Sequence, residues 1–181
     1  MSTIRMLLLG IIRSYQPIHG YEIRRQLELW GAAEWANIAY GSIYSALNKM
    51  ADEDLVDAVA TTQHGRGPAR TEYSITERGE QHFQVLLRKA WWEYKPIIDP
   101  FQVALALMDE MPRDELLAAL RARAIRLRAH LEIFSYAQST KLAGGAPRHI
   151  AENLRLVAAH GETELRWIEE VLGKVERGEL P

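Results

Sequence analysis

The chain has 181 residues, 48% hydrophobic and 25% charged, with a net charge of −2 and no cysteine. That size allows one large or two small folded domains, and the composition excludes a disordered or fibrous chain. The absence of thiols excludes a disulfide framework and thiolate metal sites and fits a reducing cytoplasm, while the near-neutral charge excludes a globally basic nucleic-acid binder.

Residues 3–14 read as a helix. Ile4, Leu7, Leu8, Ile11 and Ile12 follow helical spacing, and Ser2 or Thr3 can cap it. Leu9 makes the helix apolar on more than one side, which predicts deep burial or contact with a second chain. The apolar run Met6 to Ile12 is too short to span a bilayer, and no small-residue cleavage site follows it, so no membrane partner is expected. Tyr15 to Gly20 stops the helix, because Pro17 disfavours helix at Gln16 and Gly20 allows a tight turn. A second helix runs from Gly20 to Trp30, with Ile23, Leu27 and Trp30 on its apolar side and Arg24, Arg25 and Glu28 elsewhere. Gly31 to Ala39 is read as a connection anchored by Trp35 and Ile38.

The third helix, Gly41 to Ala51, carries the most informative pattern in the chain. Ile43, Ala46, Leu47 and Met50 fall on one side. The opposite side carries Gly41, Ser45, Asn48, Lys49 and Asp52, flanked by Ser42 and Tyr44. Small and hydrogen-bonding groups with a cation at the margin suit close approach to base edges and phosphates. An ordinary amphipathic surface helix is the plainer alternative. Two helices followed by such a third is helix-turn-helix order, in which the last helix enters the major groove.

After Leu55 the period shortens to two. Val56, Ala58 and Ala60 alternate with Asp57, Val59 and Thr61, and Thr71, Tyr73 and Ile75 alternate with Arg70, Glu72 and Ser74. Gln63 to Ala69, with two glycines and a proline, predicts a hairpin with a mobile tip. Arg66 on the tip and Arg70 beside it suit an electronegative minor groove or the DNA backbone; a plain solvent-facing turn is the alternative. Three helices and a β-hairpin make a winged helix-turn-helix.

The particular residues resemble the PadR-type transcriptional regulators. The resemblance rests on Leu7-Leu8-Leu9-Gly10, His19-Gly20-Tyr21-Glu22-Ile23, Gly41-Ser42-Ile43-Tyr44 with Ala46-Leu47, Asp54-Leu55-Val56, and Gly67-Pro68-Ala69-Arg70 before Tyr73-Ser74-Ile75-Thr76. It covers roughly residues 4–80. Ala39-Tyr40 stand where family members often have a hydroxyl or proline, and this chain has fewer cations in the third helix and wing.

Thr76 caps a further helix from Glu77 to about Tyr94, with Phe83, Leu86, Leu87, Ala90 and Trp91 on its apolar side. Pro96 and Pro100 then interrupt, which divides the chain into a winged-helix domain with its linking helix, 1–95, and a helical domain, 96–181. Phe101 to Met108 is a short apolar helix. Beyond Pro112, Leu117, Leu120, Ala124, Leu127, Leu131 and Phe134 recur at coiled-coil spacing. Ala143 to Pro147 turns the chain, and Leu154, Ala158, Gly161, Leu165, Ile168, Leu172 and Val175 continue the pattern. The result is an antiparallel helical hairpin whose narrow stripes call for a partner, most simply a second copy. The resemblance implies the same: the longer PadR subfamily has a C-terminal helical domain that dimerises.

The fold class expected is therefore mainly α, an N-terminal winged helix-turn-helix followed by a C-terminal helical dimerisation domain. Ser42, Tyr44, Ser45, Asn48 and Lys49 are the candidate contacts to double-stranded operator DNA, with Arg24 and Arg25 holding phosphate and Arg66 and Arg70 acting from the wing. Met1 to Lys95 holds 11 Lys and Arg against 11 Asp and Glu, so binding would rely on a homodimer reading two half-sites. The resemblance also implies a repressor responsive to a small aromatic effector, for which Trp91, Trp92 and Tyr94 are a candidate pocket; aromatic packing at an interface is the alternative. Arg121, Arg123, Arg126 and Arg128 face Glu162, Glu164, Glu169 and Glu170 as a paired, solvated surface. The six histidines have no paired ligand spacing, so no metal or cofactor is expected, and no nucleophile, Walker or dinucleotide motif supports an enzyme. The competing function is a winged-helix protein–protein adaptor. The acids Asp52, Glu53, Asp54 and Asp57 would favour it if they pointed with Lys49.

Overall fold

The structure, a computed structural model, describes residues 3–36, 38–61 and 70–181, with the backbone alone at 34, 60, 61 and 70. It divides into two compact units, Met1–Lys95 and Pro96–Pro181. The described elements are mostly helical, with one small antiparallel sheet.

In the first unit, α1 (Thr3–Tyr15) is the central element. Leu8, Leu9, Ile11 and Ile12 are all fully buried, so the extra apolar position at Leu9 reflects burial within the unit. Helix α2 (Gly20–Trp30) follows the expected bounds, and the Glu22 carboxylate accepts a hydrogen bond from the His19 backbone N–H at its start. The stretch read as a plain connection contains a short helix, α3 (Ala32–Ala36), held where Trp35 Nε1 donates to the Trp30 carbonyl. A 3-10 turn (Tyr40–Ser42) leads into α4 (Ile43–Asp52).

Strands β2 (Val56–Thr61) and β3 (Arg70–Ile75) form the expected hairpin, in register from Val56 opposite Ile75 to Thr61 opposite Arg70. Its tip, residues 62–69 with Arg66, lies outside the described residues. Two residues read as part of a turn form a third strand. Strand β1 (Ile18–His19) pairs with β3, placing β3 in the middle of the order β1-β3-β2. The Gln16 side-chain carbonyl continues that edge by accepting from the Ile75 N–H at 2.8 Å. Two residues are too few for an alternation to register in sequence. On β2 only Val56 of the expected inward set is seen to be buried; Ala58 is exposed, because the hairpin extends past the core.

Helix α5 (Glu77–Trp92) begins where the Thr76 hydroxyl accepts from the Gly79 N–H. The Thr76 N–H and hydroxyl in turn reach the carbonyls of Leu55 and Asp54, tying the end of the hairpin to its start. A Cβ at Gly79 would land on the Leu55 carbonyl oxygen, so glycine is required there by close backbone approach. The apolar side of α5 fades along its length. Phe83, Leu86 and Leu87 are half-buried, but Ala90 and Trp91 are exposed, contrary to expectation.

In the second unit, the Asp99 carboxylate caps α6 (Pro100–Ala106), which continues into a 3-10 turn (Met108–Glu110). Helices α7 (Arg113–Ala143) and α8 (Arg148–Glu176) form the hairpin. Leu117, Leu120, Ala124 and Phe134 on α7 and Leu154, Ile168 and Val175 on α8 are buried, as the coiled-coil spacing predicts. Arg123 pairs with Glu164, Arg128 with Glu169 at 2.6 Å and Arg121 with Glu176 at 2.6 Å, which locks the register of the two helices. Arg113 closes the base by donating to the Val175 and Glu176 carbonyls, the unsatisfied end of α8.

Substituting Gly79→Ala is expected to destabilise the first unit by about 3 kcal/mol, the upper end for overpacking, because the obstruction is backbone. Urea unfolding of the two proteins measures this directly.

Candidate nucleic-acid interface

The candidate interface is built on α4. Its apolar edge is fixed by Ile43, Leu47 and Met50, each at most 1% exposed, with Ala46 half-buried. The other side is thereby forced outward. Gly41, Ser42, Tyr44, Ser45, Asn48 and Lys49 are all exposed. The Ser42 hydroxyl donates to the Ala39 carbonyl at 2.7 Å, which leaves its oxygen free to accept.

Two hollows flank this ridge. One, of about 300 Å3, is lined by His19, Gly20, Tyr21, Tyr44, Asn48, Thr71 and Tyr73. A side chain at Gly20 would collide with the Tyr44 ring, so the glycine of the His19-Gly20-Tyr21 sequence lets α4 and the start of α2 approach closely. Burial, and after it the nearby Tyr44, pushes the Tyr73 phenol above its ordinary value, so it stays a neutral donor. His19 Nε2 faces Glu72 at 3.4 Å while its ring stacks on Tyr21. The other hollow, of about 290 Å3, is lined by Ile4, Arg5, Ser42, Ser45, Ala46, Lys49 and Met50. It brings Lys49 and the Ser45 hydroxyl together as donors for phosphate oxygens, while Arg5 is paired with Glu53 and the Ser42 proton is spent on the Ala39 carbonyl.

Arg5, His19, Tyr21, Thr71 and Tyr73 were not among the candidate residues. Arg5 lies on a helix read as core, and the others come from three separate segments, so no local pattern points to them. Of the residues that were, Arg24 is exposed but committed: its guanidinium meets Glu28 at 2.7 Å and lies over the Tyr40 ring at 5.6 Å. Arg25 is exposed on α2. Arg66 lies outside the described residues, and Arg70 is placed by its backbone alone, opposite Thr61 at the start of β3. Among the acids, Glu53 is engaged by Arg5 at 2.8 Å. Asp54 has turned out of the helix with φ 58°, and Asp57 lies on β2. Asp52 stays one turn beyond Asn48 on the open face, at the far end of the helix.

Residues 8–85 match the transcriptional regulator PadR-like family. The first unit carries a PadR-like domain. The fold as a whole agrees. The chain is similar to Bacillus subtilis PadR in complex with operator DNA, at 19% identity and TM-score 0.74, covering 94% of this chain and 98% of that one. It is similar to the same protein in complex with p-coumaric acid, at 17% identity and TM-score 0.71, covering 96% and 99%. It is also similar to the Vibrio cholerae virulence activator AphA, at 18% identity and TM-score 0.75, covering 96% and 98%. At these identities the likeness is one of fold: a winged helix followed by a C-terminal helical region. No curated protein matches the chain.

The candidate effector residues stand in the open. Trp91, Trp92 and Tyr94 are 82, 86 and 88% exposed, and Ile97 and Ile98 continue the segment at 70 and 92%. An enclosed aromatic pocket at the three residues therefore needs a second surface to close it. Among the described residues, no group of three or more His, Asp or Glu could hold a metal ion, and no helix is long and apolar enough to cross a membrane.

Proposed function

We propose that the chain is a homodimeric repressor that binds a pseudo-palindromic operator and releases it in response to a small aromatic effector. The observation that carries this reading is the polar face of α4 with its flanking hollow of Arg5, Ser42, Ser45 and Lys49. In this mechanism α4 lies in the major groove. Asn48 and Ser45 read base edges, Tyr44 and Lys49 hold the backbone, Ser42 joins them by turning its hydroxyl from the Ala39 carbonyl, and Arg5 adds a phosphate contact on exchanging Glu53 for phosphate. Arg25 and, after exchanging Glu28 for phosphate, Arg24 add contacts from α2, and Arg66 and Arg70 add them from the wing. The operator complex of Bacillus subtilis PadR supports the partner, and its p-coumaric acid complex supports the effector class.

Dimerisation compensates for the balanced charge of the first unit by doubling its phosphate contacts. Helix α7 supports it with a second apolar stripe. Ile125, Ile133 and Tyr136 are 63, 64 and 74% exposed and lie within about 80° of one another, on the side away from Leu120 and Ala124. Two copies joined through such stripes would bring a second surface to each helical domain, 96–181.

The adaptor reading keeps one observation in its favour, Asp52 on the open face of α4. A gel shift on DNA upstream of the chain's own gene separates the two. A specific, salt-sensitive shift competed only by the same DNA is expected; no binding by a folded dimer across a genomic DNA selection would establish the adaptor. Lys49→Ala should weaken binding on all sequences and make the slope of log K against log salt shallower by about 0.9, the loss of one phosphate contact. Ile125→Glu with Ile133→Glu should convert the dimer to folded monomer in sedimentation while preserving helical content; a persistent dimer would remove this stripe from the interface.

A further inference from the structure

The second unit contains a cavity of about 300 Å3 between α6 and the first half of α7. Its wall is aliphatic and adaptable: Leu105, Met108, Met111, Leu116 and Leu120 line it, with Phe101 at one side. Two guanidiniums, Arg123 and Arg126, stand on its lining. They are not equivalent. Arg123 is occupied three times over, by Glu164, by Asp99 at 3.7 Å and by the Phe101 ring, over which its guanidinium sits at 3.6 Å. Arg126, one turn further on, has no ion pair among the described residues.

We propose that this cavity binds a medium-chain fatty carboxylate, with the alkyl chain among the Leu and Met side chains and the carboxylate on Arg126. Charge complementarity selects the head group. An exposed guanidinium beside an apolar cavity rewards a ligand that is apolar at one end and anionic at the other, and its planar fork matches a carboxylate. The wall selects the tail. The only aromatic ring on it, Phe101, has one face covered by Arg123 and meets Trp167 edge-on at 6.0 Å, so it offers little to a stacking ligand. Unbranched thioether and leucine side chains instead conform to a flexible alkyl chain. The volume lies at the lower end of the usual ~300–1,000 Å3 range for ligand sites, which suits a chain of medium length. This site lies on other residues than the tryptophan segment.

The test is calorimetric titration of the full-length protein, without DNA, with octanoate, 1-octanol and 3-phenylpropanoate. Octanoate is expected to bind at least about tenfold more tightly than either comparison ligand, because only it satisfies both the alkyl wall and Arg126. Arg126→Gln should weaken octanoate about tenfold and leave 1-octanol unchanged, and Ala119→Phe, which fills the cavity from its exposed side, should abolish binding of both. Absence of octanoate binding, equal binding of 1-octanol, tighter binding of 3-phenylpropanoate, or indifference to Arg126→Gln would overturn the proposal. If wild type binds no octanoate and Ala119→Phe instead breaks the dimer, the cavity is covered by the second copy and the proposal fails. Because binding is read without DNA, its failure leaves the gel-shift question intact, and a failed gel shift leaves the cavity intact.

Discussion

The burial of Ile43, Leu47 and Met50 in the core around α1 decides what this protein can present to a partner. A helix anchored along one edge cannot rotate without exposing those three side chains, at about 1.5–3 kcal/mol each. The polar edge of α4 is therefore held outward as firmly as the apolar edge is held in. Everything proposed for Ser45, Asn48 and Lys49 depends on that anchoring. The same core explains the helix before it: α1 is apolar on several sides because it meets α2, α4, β3 and α5 in turn. Its one early cation, Arg5, is left at the rim, where it takes Glu53 out of the electrostatic balance near Lys49.

A second constraint runs through the backbone at the end of the wing. The carbonyls of Asp54 and Leu55 accept from Thr76, and Gly79 clears the space for that approach. This junction ties the end of α4, the root of the hairpin and the start of α5 to one another, so the wing is rooted on the same frame as α4. The helical hairpin of the second unit is organised differently. Its register comes from a buried stripe reinforced by arginine–glutamate pairs, which as surface pairs contribute direction more than energy. Arg126 stands out against this background because its neighbours along α7, Arg121, Arg123 and Arg128, are all paired.

Much of this was legible in the sequence. The apolar periods of α1, α2, α4, α7 and α8 place each helix near its observed bounds, because helical burial writes a 3.6-residue repeat directly into the chain. The residues on the open side of α4 follow from the same repeat. Strand β1 was not legible, since two residues carry no period, and its pairing with β3 spans more than fifty positions. The exposure of Ala58, Ala90 and Trp91 was also missed. Each continues a local pattern past the point where there is anything left to pack against.

The sequence alone therefore determined the class of fold, the open polar face of α4 and the likeness to PadR-type regulators, because all three rest on local periodicity and short motifs. Only the tertiary structure decided which charges remain available. Arg24, Arg123 and Arg5 are engaged by carboxylates from one turn to 48 positions away, while the hollow beside Ser45 and Lys49 and the cavity beside Arg126 are assembled from separate helices. Charge neutralisation and cavity shape depend on distances in space, and those exist only once the core has closed.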